Sequence, residues 1–488
     1  MNKIFSDKYF YIIPVIFFVR LFFTVKNDPF FGDAVASTSR CVNNIYDHNL
    51  LTIFYPTDAD PAHPTLYSWL MALCWKIFGQ SLFVSHLYGM IWLMLLVFVF
   101  RKLAKLFLEN ETTVNQATLL LFVMPVFLAQ GAMMLNTVAV MTFFLAAIYG
   151  LLTQNNKWFL SATIWMMLSQ MQAPFFLLAL AATDLFLNIN EKNIIAWFKE
   201  RFIFYVIPFA VLFAWLMLHY VHTGWLFLSP NYSDADSLNG VSQFIKSLLI
   251  MAWRLIDFGM LPFYLVFIFL IFRKIGNRKL HIAWIFLSLI ICVSMAIFLS
   301  KTIGHRYFLA LGMLMIILVM NGIQYFETRK KNLLYVVLFC SLVAGNFLYY
   351  PGKNLGDGTL AYRSYFSIYD NIKNDFNDTT VFYSYTPIAV SSQFTYLNNN
   401  GLKFERINGR DLSDLPVVLQ SNLNAEFSED DKKYLKNNFY GKSYESHSVY
   451  VNVFLNPKFY TKPEGWKLRE PSAFENWIID SKQKFRSE

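Results

Sequence analysis

The sequence predicts a mainly α-helical, polytopic membrane protein with about eleven transmembrane helices and a C-terminal soluble α/β domain. Of its 488 residues, 56% are apolar and only 15% charged, whereas about a quarter of a water-soluble domain is charged. Phe alone occurs 51 times, and the mean hydropathy is +0.40, more large apolar surface than one soluble core can cover with polar groups. Several runs of roughly 18 or more residues are almost free of charge, the length that crosses the ~30 Å hydrocarbon layer as a helix. A soluble enzyme and a disordered chain are excluded. The balance of 41 Lys and Arg against 32 Asp and Glu leaves a net charge of +9. These basic residues sit in short connectors and form no single stripe, so no nucleic-acid partner is expected.

The apolar runs fall near 9–25, 82–100, 116–133, 137–153, 158–172, 174–189, 202–221, 247–272, 281–300, 306–325 and 333–350. Lys3 and Lys8, then Arg101, Lys102 and Lys105, Lys157, then Lys192, Lys199 and Arg201, then Arg273, Lys274, Arg278 and Lys279, and finally Arg329, Lys330 and Lys331 occupy alternate connectors on one side. The positive-inside rule makes that side the cytoplasm, so the N-terminus is expected inside and everything after Tyr350 outside. Lys26, Asn27 and Asp28 follow the first run with no small-residue cleavage site, which predicts a retained signal anchor in a multi-pass inner or plasma membrane protein.

Two outer segments stand out. The loop 26–81 carries Asp28, Asp33, Asp47, Asp58 and Asp60, then "PTLYSWLMALCWKIFG" at 64–79, too short and interrupted to span. It is expected to lie in the interface as an amphipathic helix, with Tyr67, Trp69 and Trp75 at headgroup depth. The expected division is a membrane module over 1–350 and an extracytoplasmic α/β domain over 351–488, of ordinary size at roughly 135 residues. Within it "TTVFYSY", "LKFERI", "PVVLQS" and "HSVYVNVFL" read as strands, and "YRSYFSIYDNIKNDF" and "EDDKKYLKNN" as helices. The four cysteines offer no pair or metal-ligand spacing. No Gly-rich phosphate loop is present, so a nucleotide-hydrolysing pump is unsupported.

Ionisable side chains beside a bilayer are costly and mark function by default. Here they gather at the outer side: Asp33 in "FFGDAVASTSR", Asp58, Asp60 and His63 in "TDADPAHPTLYSW", His219 and His222 closing the seventh run, and Lys301, His305 and Arg306 in "SKTIGHRYFLAL". Such a set suits an anionic lipid headgroup with a general base beside it, because Arg bonds phosphate bidentately and Asp takes a proton from a hydroxyl acceptor.

With these residues in order, the sequence resembles the GT-C membrane glycosyltransferases, in particular glycosyltransferase family 39, the aminoarabinose transferases and the protein O-mannosyltransferase-like enzymes. The family pattern of an acidic residue after the first helix, a Lys-Pro or His-Pro, and a Tyr-Trp helix ending in Phe-Gly is matched by Asp33, His63 and Pro64, Tyr67 and Trp69, and Phe78 and Gly79. A His-Arg-Tyr motif matches His305, Arg306 and Tyr307, and "QMQAP" around Gln172 stands where relatives often carry Lys-Gly-Pro. The resemblance covers about residues 8–350, and many relatives differ in having Pro-Pro at Pro64–Thr65 and an acidic residue near Asn136 and Thr137. It implies transfer of a sugar from a polyprenyl-phosphate carrier to a lipid, glycan or protein acceptor on the outer face, with inversion. Asp33 would be the base, and Asp58, Asp60, His63, Tyr67, Gln172, His305, Arg306 and Tyr307 would bind substrate. Membrane lipids are the remaining partner. No cofactor is expected, and the residues give no support for a divalent metal.

Plainer roles are open to the same residues. Asp33 can cap a helix, His63 can serve a turn before proline, and Arg306 can anchor at headgroups by snorkelling. Arg20 and Arg254 read as packing or snorkelling residues. His219 and His222, with His305, have a spacing that a metal could use, though interfacial polar roles are commoner. The rival functions are a transporter or flippase, whose ionisable residues lie near the midplane beside internal repeats, and a polysaccharide polymerase or ligase.

Overall fold

The computed structural model describes residues 10, 12–55, 57, 60–188, 194–227, 240–298, 303–348, 357–385, 402–407, 409–421, 427–446, 449–470 and 472–473. The chain forms two compact units: Met1–Lys26 with Arg40–Asn346, and Asn27–Ser39 with Phe347–Glu488.

Among the described residues, all regular structure in the first unit is helical. Its helices are α1 (Ile12–Val25), α2 (Arg40–Asp47), α3 (Leu66–Phe78), α4 (Leu82–Ala104), α5 (Glu111–Val123), α6 (Pro125–Met133), α7 (Thr137–Leu152) and α8 (Asn156–Met167). They continue as α9 (Ala173–Asn188), α10 (Ile194–Thr223), α11 (Gly240–Ile256), α12 (Leu261–Arg273), α13 (Arg278–Phe298), α14 (Leu309–Ile323) and α15 (Thr328–Gly345), with a 3₁₀ turn His305–Phe308 leading into α14. Local chemistry sets several starts. The side chains of Ser81, Asn110 and Asn155 accept from the backbone N–H three residues on, at Val84, Thr113 and Trp158, which satisfies donors that a helix end leaves unpaired.

Each expected apolar run falls on one of these helices, but two runs are not single rods. By length and composition four helical stretches are long and apolar enough to cross a membrane, Leu82–Ala104, Ile194–Thr223, Arg278–Phe298 and His305–Ile323, and six if each bent pair is one span. The protein is thus an integral membrane protein. The expected span 116–133 bends by 63° between α5 and α6, where Pro125 brings no backbone N–H to continue the ladder. Asn346 Nδ2 donates to the Val123 carbonyl at this break, 2.9 Å away. The expected span 247–272 bends by 95° between α11 and α12. Phe258 and Gly259 there have φ of 49° and 84°, a left-handed conformation that interrupts a right-handed helix. Ser341 Oγ donates to the Gly259 carbonyl at 2.5 Å.

The centre of the unit is α14, of which every residue except Leu314 is buried. A helix apolar on all sides belongs inside a bundle. By contrast α10 has only a third of its spanning window covered. Helix α3 departs from the expected interfacial placement of its aromatics. Tyr67 and Trp75 are 2% and 0% exposed, because one face of α3 packs on α2 and α4. There Trp75 Nε1 donates to Ser85 Oγ at 2.9 Å and Tyr88 Oη donates to the Tyr67 carbonyl at 2.8 Å. Trp69 remains half-buried.

The second unit contains a five-stranded mixed sheet in the order β2-β1-β3-β5-β4, with β1 (Val381–Ser384), β2 (Lys403–Arg406), β3 (Val417–Ser421), β4 (Tyr440–Ser446) and β5 (Val449–Leu455), and helices α16 (Ser364–Asp375) and α17 (Glu429–Asn438). Strand β1 runs parallel to β2 and β3, and β5 pairs antiparallel with β3 and β4. All four strands and both helices expected from the tail sequence are present, and β4, "YGKSYES", is an addition. Its polar composition lacks strand alternation, and its pairing along all of β5 supplies what its side chains do not. A capping box between Ser428 and Asp431 starts α17. Ile407, Leu412, Leu415, Val418, Phe427, Leu435, Phe439 and Phe454 form an apolar core.

The segment Asn27–Ser39 belongs to this second unit. Asp28 accepts two hydrogen bonds from Arg363, from Nε at 2.5 Å and Nη2 at 3.1 Å. Phe31 stacks on Tyr362 and Tyr365 with centroids 5.0 and 5.5 Å apart. Burial raises the Asp28 carboxyl above its ordinary range, and the bonds from Arg363 offset only part of that rise.

Candidate active site

Asp33 follows Gly32, whose φ of 55° turns the chain. It is exposed and opens a helical turn that passes into a π-helical stretch, Val35–Ser39, with Ser37 Oγ donating to the Asp33 carbonyl at 2.6 Å. Single π turns are uncommon and recur at functional sites. Asp58 lies outside the described residues, as does Lys301.

In the helical unit two histidines are each held by a buried carboxylate. His219 on α10 places Nε2 2.8 Å from Asp60 Oδ2, with both side chains 1% exposed. Asp60 also accepts from the Ala62 N–H at 2.8 Å. The imidazole stacks on Trp215 and meets the edge of Trp225, at 5.0 and 4.5 Å. Asp60 therefore ties the loop ahead of α3 to the end of α10, and that loop carries His63, itself half-buried.

The second pair sits at the break between α11 and α12. His305 Nε2 is 2.8 Å from Asp257 Oδ2, and the side chains are 0% and 2% exposed. Asp257 Oδ1 accepts from the Phe258 N–H at 2.7 Å. Arg254, on the last turn of α11, brings Nη1 to 3.1 Å from Nδ1 and 3.3 Å from Nε2 of the same ring. Being almost equidistant from both nitrogens, the guanidinium lies across the ring face and not in line with one lone pair. A buried imidazole is thus bracketed by a cation and an anion. The Arg254 Nε–H is buried and meets no acceptor among the described residues. Next to it, Arg306 packs over the Tyr307 ring at 4.9 Å and donates from Nη2 to Tyr307 Oη at 3.0 Å.

A third group forms where the starts of α3 and α7 meet the turn between α8 and α9. The N–H of Leu66, first residue of α3, donates to the Leu168 carbonyl at 3.3 Å. Asn136 Nδ2, just before α7, donates to the Ser169 carbonyl at 3.2 Å. Gln172 directly precedes α9 and is 6% exposed. The structure therefore brings Leu66, just after His63 and Pro64, and Asn136, just before Thr137, to the turn that runs through "SQMQAP" to Gln172, three stretches far apart in sequence. Tyr67 is packed behind them on Tyr88, 5.1 Å between centroids.

Sequence reasoning missed Asp257 and assigned Arg254 to packing or snorkelling; the structure places its guanidinium against the His305 ring. The missed signal was an Asp beside Gly259 and Pro262 inside an otherwise apolar run, since a charge at a helix-breaking sequence marks a broken span. His219, His222 and His305 do not assemble as a metal trio. His219 pairs with Asp60, His305 with Asp257, and His222 is exposed and stacked on Phe54 at 5.1 Å. Among the described residues no three His, Cys, Asp or Glu are grouped to hold a metal ion.

No family profile and no curated protein matches the chain. Its fold is similar to the crystal structure of ArnT from Cupriavidus metallidurans bound to undecaprenyl phosphate, at a TM-score of 0.56 and 11% identity over 94% of this chain and 100% of that one. The apo state of the same protein gives a TM-score of 0.51 and 10% identity, over 92% of this chain and 99% of that one. The chain therefore has a fold similar to that of ArnT, a helical membrane module in one chain with a small C-terminal sheet domain.

Proposed function

We propose that the protein is an integral membrane glycosyltransferase that moves a sugar from a polyprenyl-phosphate carrier to an acceptor on the outer face. The observation that carries this reading is the fold likeness along nearly the whole chain to a protein crystallised with undecaprenyl phosphate. Asp33 takes the proton of an acceptor hydroxyl. The acceptor oxygen then bonds to the anomeric carbon as the carbon–oxygen bond to the carrier phosphate breaks, inverting that carbon and releasing the polyprenyl phosphate. His63, Arg306 and the Arg254–His305–Asp257 cluster neutralise the charge developing on the phosphate. Asp60, through His219, holds the loop that carries His63, and Tyr67, Gln172 and Tyr307 line the substrate path. Asp58 joins this set as an acidic residue of the same loop. In this reading the N-terminus is cytoplasmic and the C-terminal unit extracytoplasmic, as the basic connectors require. No step calls for a cofactor.

One observation favours a second reading. A helix broken at buried charges is also how transporters build their sites, so a lipid or solute transporter is the rival. Glycosyl transfer by purified protein in detergent separates the two, because transport needs two compartments and makes no new bond. Asp33→Asn should abolish transfer at unchanged protein level, and full turnover by that variant would remove the assigned base.

A further inference from the structure

We propose that an apolar slot at the basic end of the helical unit binds one acyl chain of an anionic phospholipid, whose phosphate sits at Arg278 and Lys279. The slot is a cavity of about 90 Å³. Its wall is built from the last turns of α7 and α9, with Leu151, Leu152 and Leu187, the first turns of α13, with Leu280 and Trp284, and the middle of α14, with Leu314. No polar atom is exposed on that wall. Trp284 Nε1 turns away to donate to the Leu311 carbonyl at 3.3 Å, and Thr183, on the same wall, has its Oγ1 buried. Such a space stays free of water, which needs two or more polar partners, and takes hydrocarbon. Leu314 is the one residue of the central helix α14 that packing leaves partly uncovered, so the slot reaches the middle of the bundle.

The occupant follows from where the slot opens. Leu152 is 44% exposed, and Phe186 of α9 and Ile282 of α13, which flank the wall, are 41% and 37% exposed. The stretches of α13 and α14 are long and apolar enough to cross a membrane, so this rim faces lipid and acyl chains are its solvent. Leu280 lies within the first turn of α13, directly after Arg278 and Lys279, both exposed, which sets the mouth just beneath the headgroup layer. Among the other described charges beside the wall, Arg101 and Lys105 share Glu111, and Glu109 and Lys157 are exposed. Asp184 is buried and accepts from Asn188, Trp197 and Tyr205. Positive charge is in excess at this rim and favours an anionic headgroup, as basic pockets between membrane helices do. The slot lies at the far ends of α7 and α9 from Asn136 and Gln172, a distance of about 24 Å along the 16 residues of α7. A phospholipid of the adjacent leaflet reaches it without crossing the bilayer, and its binding does not depend on the reaction assigned above.

The test is photolabelling of the full chain in phosphatidylcholine nanodiscs that contain a trace of phosphatidylglycerol, or of phosphatidylcholine, with a diazirine midway along one acyl chain. The readout is mass spectrometry of the labelled peptides. Helix α14 is otherwise buried, so label on Leu314 or Leu318 reports a chain inside the slot. Phosphatidylglycerol should label there at least roughly fivefold more than phosphatidylcholine, the effect of about one cation beside an anionic lipid. Arg278→Gln with Lys279→Gln should bring the two lipids level. Ala283→Phe, which fills the slot from α13, should cut the α14 label roughly tenfold while the melting temperature in lipid-free detergent holds or rises. No label on α14 of the unaltered chain, or label that a folded Ala283→Phe leaves intact, would overturn the slot. Equal labelling of the unaltered chain by the two lipids would overturn the anionic headgroup. Label that excess polyprenyl phosphate removes and excess phosphatidylglycerol does not would give the slot to a carrier tail and overturn the proposal.

Discussion

Replacing Asp257 with alanine tests whether the break between α11 and α12 is organised around one charged cluster. The carboxylate is 2.8 Å from His305 Nε2, with both side chains almost fully buried, and its other oxygen accepts from Phe258 N–H at 2.7 Å. Truncation orphans two donors and leaves the Arg254 guanidinium against a ring with no counter-charge. Removing one partner of a buried pair costs about 3–5 kcal/mol, so Asp257→Ala should lose stability in that range. Asp257→Asn keeps an acceptor for Phe258 N–H and should cost about half as much. In a double-mutant cycle with His305→Ala, measured by chemical unfolding in detergent micelles with tryptophan fluorescence, the two substitutions should couple by about 1.5–3 kcal/mol. Losses that simply add, with coupling below about 0.5 kcal/mol, would show that the two side chains are merely neighbours and refute the cluster.

Other consequences are open to direct measurement. A Cβ on Gly345 would lie 2.2 Å from the Phe258 carbonyl oxygen, and one on Gly259 would lie 2.1 Å from the Ser341 carbonyl oxygen. Both contacts are with backbone that cannot rotate away, so Gly345→Ala should destabilise by about 1–3 kcal/mol or more and disturb the Asp257–His305 pair; an unchanged melting temperature would contradict the tight knuckle. His219→Leu strands the buried Asp60 carboxylate and should cost about 3–5 kcal/mol, with faster hydrogen exchange in the loop ahead of α3; unaltered exchange there would mean that the pair does not hold the loop. In the C-terminal unit, burial works against Asp375 ionisation, but the bonds from Lys442 and Tyr444 prevail and hold its carboxyl below the ordinary range. A depressed folded-state value stabilises above the ordinary carboxylate value, near 4, and that contribution fades as pH falls through the lower folded value. Hydrogen exchange over α16 and β4 should therefore quicken with acidification in that window, and Asp375→Asn should remove the response.

Much of this fold was legible because it rests on apolar length and alternation, which sequence displays directly. Among the described residues every apolar run lies mostly in helix, and the tail's strands and helices followed their patterning. The breaks at Pro125 and at Phe258–Gly259 escaped because unbroken hydropathy masks a change of direction; only the proline, the glycine and Asp257 among apolar neighbours gave it away. Tyr67 and Trp75 read as interfacial because their types favour headgroups, yet burial by α2 and α4 is a tertiary matter. Strand β4 is dictated by its partner and not by its own residues. At the candidate site, single residues such as His305 and Asp60 could be named, but their partners could not. Asp257 and His305 are separated by 48 residues, and Asp60 and His219 by 159. Pairings at that range are fixed by helix packing.

The central claim is that Asp33 drives transfer of a sugar from a polyprenyl-phosphate carrier, and the most direct measurement is mass spectrometry of carrier lipids and surface glycans in cells that contain or lack the protein. The account predicts that cells lacking it accumulate a carrier-linked sugar and lose one glycan product. Restoring the chain should reverse both changes, and restoring Asp33→Asn at the same protein level should reverse neither. Unchanged carrier lipids and glycans in the cells without it, or full rescue by Asp33→Asn, would contradict it.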